Sequence, residues 1–185
     1  MGAAVNDFSD RCNFPGVSYN PPTDIARLIR KLRIRFLGYP LLTMIGDISG
    51  AFRHIPTNAD HMHMFAFQFD DFIVIDLSCG FDWCGSPAFY SVSGSPFNAL
   101  YESQHPPANL APIDSTSPRC MQADIALRKA MTTVFGPRAR KEDKFTQWST
   151  KIKALGLLWN TENGAVSVMG SLRAHYFGLH VSARV

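Results

Sequence analysis

The chain has 185 residues, 46% of them apolar and 18% charged, with a formal net charge of +3. That length supports one domain with a real core, and that balance excludes a globally disordered polymer. The mild basic bias, with a pI of about 8.7, permits nucleic-acid binding without requiring it.

The first dozen residues lack a basic start followed by an apolar run, so no signal peptide is expected. No apolar run approaches the roughly 20 residues that span a bilayer. Cys12, Cys79, Cys84 and Cys120 show no disulfide-framework rhythm. An intracellular location, cytoplasm or nucleus, is the expectation.

Residues 1–22 read as loop or weakly extended, ending in Asn20-Pro21-Pro22. Thr23 or Asp24 is placed to cap a helix running to about Phe36. Its apolar stripe is Ile25, Leu28, Ile29, Leu32 and Phe36. Arg27, Arg30, Lys31, Arg33 and Arg35 fill much of its remaining surface, and Gly38-Tyr39-Pro40 stops it. Residues 41–48 read as a buried strand and 54–60 as a turn or short helix. Residues 64–69 and 72–77 read as two strands joined at Asp70-Asp71. A helical tendency over 86–102 is interrupted by Gly94 and Pro96. Residues 105–119 form a Pro/Ser-rich loop that is long for a compact domain. An amphipathic helix over 121–134 ends at Gly136-Pro137, and 138–144 is a charged connection. Residues 154–159 and 166–168 bracket Asn163-Gly164, a strong hairpin signal.

Asp47 closes the apolar run Leu41-Leu42-Thr43-Met44-Ile45-Gly46. Phosphoryl transfer to a growing strand uses divalent metals held roughly 4 Å apart. Magnesium takes hard oxygen ligands, so carboxylates do this work. An Asp at a strand end can serve such a site; it can also be a strand cap or a turn residue.

The run Asp47-Ile48-Ser49-Gly50-Ala51-Phe52-Arg53 resembles the first palm motif of reverse transcriptases of the retrotransposon branch. The run Gly80-Phe81-Asp82-Trp83-Cys84-Gly85-Ser86-Pro87 resembles the second, with Trp83 and Gly85-Ser86-Pro87 as the specific matches. The resemblance implies that Asp47 is a catalytic residue by binding metal, that Mg2+ is the cofactor, and that Phe52 lies under the incoming sugar. It implies that Phe81, Ser86 and Pro87 belong to the nucleotide and template floor. Gly80 stands where Pro is usual and Asp82 where Gly is usual, and Pro96 falls inside the next helix. If the Asp82 position needs a positive φ, an Asp tolerates it better than most residues but not freely.

The family's third motif, an aromatic-x-Asp-Asp hairpin with the other metal ligands, is missing. Its window, 101–120, holds Asp114 as its one aspartate. Phe69-Asp70-Asp71-Phe72 imitates it, but it precedes Ser86-Pro87 and sits at a polar turn, where Asp is favoured. Asp124 is another isolated acid. Residues 151–159 with Asn163-Gly164 resemble the hairpin that grips the primer end. Gly170-Ser171-Leu172-Arg173 resembles a fragment of the thumb, and Val5-Asn6-Asp7-Phe8-Ser9 the fingers segment.

His54, His61, His63, Cys79 and Cys84 lack a tight zinc spacing. Arg27, Arg30 and Lys31 could track a nucleic-acid backbone or be a solvated helix face. Lys141, Lys144, Lys151 and Lys153 carry the same ambiguity. Trp148 and Trp159 could stack bases or sit in the core.

The expected fold is α+β, a partial polymerase palm and fingers with an antiparallel sheet packed on helices. The expected segments are a fingers-like 1–40, a palm-like 41–169 with a deletion near 105–119, and a thumb-like tail at 170–185. The expected function is that of a degenerate reverse transcriptase domain, ancestrally an RNA-directed DNA polymerase on an RNA template and DNA primer. It is expected to be inactive for want of the Asp-Asp pair. The alternatives are a non-catalytic nucleic-acid-binding or protein-interaction domain, and a product that never folds stably.

Overall fold

A computed structural model describes residues 5–17, 20–104 and 118–168. In chain order the elements are α1 (Pro22–Arg35), β1 (Ala66–Phe69), β2 (Phe72–Ile75), α2 (Ser86–Ser103), α3 (Pro118–Phe135), β3 (Lys151–Ala154), β4 (Leu157–Asn160) and β5 (Ala165–Val168). Helices and two small antiparallel sheets, β1-β2 and β3-β4-β5, make an α+β arrangement. No helix among the described residues is long and apolar enough to cross a membrane.

The extended stretch 41–48 lies between two apolar clusters. Side chains alternate in direction along extended backbone, and here both directions meet core. Leu41 and Ile45 pack with Ile25 and Ile29 of α1 and with Ile152, Ala154 and Trp159 of the three-stranded sheet. Met44 packs with Phe97 and Tyr101 of α2 and Ala126, Leu127, Ala130 and Met131 of α3. Burial on both faces explains why the stretch is apolar throughout rather than alternating. It pairs with the chain a hundred residues on: Thr43 and Ser149 exchange backbone hydrogen bonds, both 2.9 Å, and Ile48 bridges Arg140. Gly46 is required there, because a β-carbon would stand 2.7 Å from the Phe145 ring.

Buried residues of α3 recur at Ala123, Ala126, Leu127, Ala130 and Met131, the spacing of one helical face. The fully buried Ala130 offers little bulk where α2 and α3 meet. In the three-stranded sheet β3 and β4 join through Leu155-Gly156, both at positive φ (55° and 71°), the conformation a tight two-residue hairpin demands. The Asn163-Gly164 turn then leads into β5, so the region is a meander of two hairpins rather than one. Thr161 ties it to the central stretch, its hydroxyl donating to the Leu41 carbonyl at 2.6 Å.

Several local expectations need correction. The N-terminal segment is not plain loop: Val5–Asp7 and Arg11–Asn13 are 3-10 turns, the second capped by Asp10. Helix α1 is not capped by Thr23 or Asp24. Pro21 is the N-cap and Pro22 opens the helix, where a missing N–H leaves nothing unpaired. Helix α2 runs through Gly94 and Pro96 without interruption. Pro96 and Val92, four residues before it, are both exposed, so the displaced carbonyl opens toward water. The buried Phe97 and Tyr101 hold the distal half of the helix in the core. Their burial, about 1.5–3 kcal/mol for a large apolar side chain, offsets a proline penalty of about 3 kcal/mol. The 105–119 loop apart from its last two residues, Asp114, the Gly170 to Arg173 run and the 170–185 tail lie outside the described residues.

Candidate functional site

Asp47 lies at the end of the central stretch, partly buried. Its carbonyl accepts from the Lys141 N–H at 3.3 Å. The next residue, Ile48, bridges Arg140 in antiparallel sense, so Lys141 stands directly across from Asp47. The contact seen between the two residues is this backbone bond, and Lys141 itself is exposed.

Beyond Asp47 the chain turns at Gly50, whose φ of 58° suits a glycine, and enters the 3-10 turn Ala51–His54. His54 Nε2–H donates to the Ser49 carbonyl at 2.8 Å, and the Ser49 N–H donates to the Ala139 carbonyl at 2.6 Å. These bonds set Phe52 into an aromatic series. Its ring centroid is 5.2 Å from Phe81 and 5.7 Å from Tyr90, and Tyr90 stacks on Phe135 at 5.6 Å. Phe52 is 9% exposed and Phe81 53% exposed, so the first is largely enclosed and the second presents a ring to solvent. Burial pushes the Tyr90 phenol far above the usual tyrosine range, and the negative field of Asp47 adds to the effect. Asp47, Phe52, Phe81 and Tyr90 thus gather from two separate segments.

The 80–87 turn is built from within. Ser86 is fully buried and its hydroxyl donates to the Gly80 carbonyl at 2.6 Å. Pro87 lies in the first turn of α2. Trp83 folds over Gly85, where a β-carbon would come within 2.5 Å of its ring, and stacks on Phe89. The N-terminal segment docks here: the Asn6 amide donates to the Asp82 carbonyl at 2.7 Å and accepts from the Cys84 N–H at 2.8 Å. Trp83 Nε1–H donates to Ser9 Oγ at 2.9 Å. Asp82 is not among the described residues with positive φ, so the strain contemplated at that position does not arise.

The other candidates separate. Asp70 and Asp71 stay at an exposed hairpin turn, Asp70 with φ 50°. Asp124 pairs with Arg128 at 2.8 Å. Among the described residues no group of three or more His, Cys, Asp or Glu is gathered as a metal would require. Cys79 is buried, which raises its thiol, beside the Ser86 hydroxyl. Trp159 belongs to the core cluster beside α1, and Trp148 packs against the other cluster, around Met44 and α3. On α1, Arg27, Arg30 and Lys31 are exposed at the i, i+3, i+4 spacing of one helix face. Arg27 pairs with Asp24 at 2.8 Å, an exposed contact of small energetic weight. Arg33 is diverted from that face to donate to the Thr161 carbonyl.

Tyr90, Phe135 and Lys141 are the members of this site whose part in it sequence reasoning left unassigned. For Tyr90 a signal exists, since it lies one helical turn past Pro87. For Lys141 none is local, because its pairing to Asp47 spans 94 positions. No protein-family model, curated protein or solved structure matches this chain.

Proposed function

We propose that the chain is a degenerate reverse transcriptase-like domain of a retroelement, ancestrally an RNA-directed DNA polymerase and no longer active in this form. The observation that carries the reading is the convergence of its two motif-like segments. Asp47 and Phe52 meet Phe81 and Tyr90 in one place, although some thirty residues separate the segments. In this reading Asp47 is the remaining metal ligand and Phe52 the sugar-facing ring. Phe81, Ser86 and Pro87 form the floor, Ser86 acting through the Gly80 carbonyl that it holds.

Inactivity rests on the donor set. Two magnesium ions need several carboxylate oxygens within reach of both. Asp47 supplies one carboxylate, and among the described residues no group of three or more His, Cys, Asp or Glu gathers there to complete a donor set. These residues do not fit a two-magnesium centre, and no catalytic step is assigned to one.

Primer extension on an RNA template with magnesium, comparing the parent with Asp47→Asn, tests the reading. Neither protein is expected to extend the primer above background. Robust extension lost in Asp47→Asn would overturn the inactivity.

A second reading, a non-catalytic nucleic-acid-binding domain, draws on the exposed face of Arg27, Arg30 and Lys31. If that face tracks a backbone, replacing all three by Ala should reduce the salt slope of RNA–DNA hybrid binding by about 2–3. An unchanged slope excludes it.

A further inference from the structure

We infer that the segment 140–146 is a strap that opens as a unit beside Asp47, and that the Arg128 guanidinium is the ionic latch that holds it shut. The strap runs along the central stretch and bonds to it at both ends. Lys141 N–H donates to the Asp47 carbonyl at 3.3 Å, and Thr146 N–H donates to the Ile45 carbonyl at 3.0 Å. The Thr146 hydroxyl accepts from the Ile45 N–H at 3.0 Å. Between these bonds Glu142–Lys144 leaves the ladder in a 3-10 turn. Phe145 is partly buried and the other strap residues are exposed. The flanks are fixed: Ala139 is fully buried, and Thr43 and Ser149 exchange backbone bonds. Exposed backbone bonds with little enclosed apolar surface mark a segment that opens before the rest of a fold.

One side chain of α3 reaches across to hold the turn. Arg128 Nε–H donates to the Asp124 carboxylate at 2.8 Å, and Arg128 Nη1–H donates to the Glu142 carboxylate. The same guanidinium lies 3.9 Å from the centroid of the Phe145 ring. A planar fork makes all three contacts at once, anchored on its own helix and gripping the strap twice. Arg140 adds a bond to Glu142 at 3.1 Å. The gripped Phe145 ring fills the space over Gly46, so the latch also seats the strap on the central stretch. Arg128 is 24% exposed and Glu142 56% exposed, so dissolved salt reaches the pair and screens it. Opening releases the Asp47 carbonyl and bares one edge of the central stretch. The latch thus ties the surroundings of Asp47 to ionic strength. This inference stands on these contacts and does not depend on the polymerase reading.

Hydrogen exchange of the full chain at about 0.05 M and about 1 M potassium chloride tests it, since the first screens charges weakly and the second strongly. In the parent, the Lys141 and Thr146 amides should exchange about two- to five-fold faster at the higher salt, relative to amides of α3 and β4. Glu142→Gln, an exposed change that leaves α3 untouched, should speed these two amides by a similar factor at low salt and remove their salt response. Arg128→Met should do at least as much. The double variant should match Arg128→Met, because both changes remove one shared contact. The inference is overturned by a parent without the salt response, by α3 and β4 amides that accelerate as much as the strap's, or by a salt response that survives in Glu142→Gln. If Arg128→Met does not fold, the parent and Glu142→Gln decide the matter by the same criteria.

Discussion

Two apolar stretches of this chain, 41–48 and 66–75, have similar composition and opposite surroundings. The first is buried on both faces and bonded to residues about a hundred positions away. The second bonds mainly to itself across a two-residue turn, and every one of its strand positions is exposed. Hydrophobicity alone therefore does not decide what becomes core. The central stretch has partners because α1, the α2–α3 pair and the three-stranded sheet all converge on it. The hairpin closes its own short loop at little entropic cost, and no other described element covers either of its faces.

That contrast can be broken at several points. The largest effect is expected from Trp159→Ala in the core beside the central stretch. Trp159 is 2% exposed and its indole N–H donates to the Ala154 carbonyl at 3.2 Å. The loss should be about 3–5 kcal/mol in urea unfolding, and a smaller loss would mean that this core is loosely packed.

Gly46→Val comes next. The added atoms collide with the Phe145 ring, and about 1–3 kcal/mol of destabilisation is expected. A neutral result would show that the 137–149 segment is not held against the central stretch.

The third effect is alkaline. The partly buried Tyr90 resists ionisation while the unfolded chain ionises near pH 10. Its contribution is intact below that pH and lost as pH rises above it, by up to about 1.4 kcal/mol per pH unit. Tyr90→Phe should flatten the decline in a pH series of melts.

The smallest effect belongs to the hairpin. Phe72, 71% exposed, should change stability by no more than about 0.5 kcal/mol when replaced by Ser. A larger loss would mean that β1 and β2 are packed after all.

Much of the element list was legible in the sequence, because helical and extended periodicities are local signals. The helices α1 and α3, the Asp70-Asp71 turn and the Asn163-Gly164 turn appear where the pattern places them, but of the α1 stripe only Ile25 and Ile29 are buried and Leu28 is exposed. The course of α2 was not legible. Local propensity ends a helix at Gly94 and Pro96, but Phe97 and Tyr101 find core only if it continues. Asp47 and Phe52 could be nominated from the sequence, and so could Phe81. Their meeting with Tyr90 could not, nor could the placement of Lys141.

The amino-acid sequence by itself determined an α+β chain with an apolar centre, an isolated acid after it, and no Asp-Asp pair between 101 and 120. These follow from composition, period and order, which need no knowledge of distant contacts. Only the tertiary structure decided which apolar stretch would be enclosed and which left open, and which backbone segment would pair beside Asp47. Those outcomes depend on pairings between residues far apart along the chain, and no local window contains both partners.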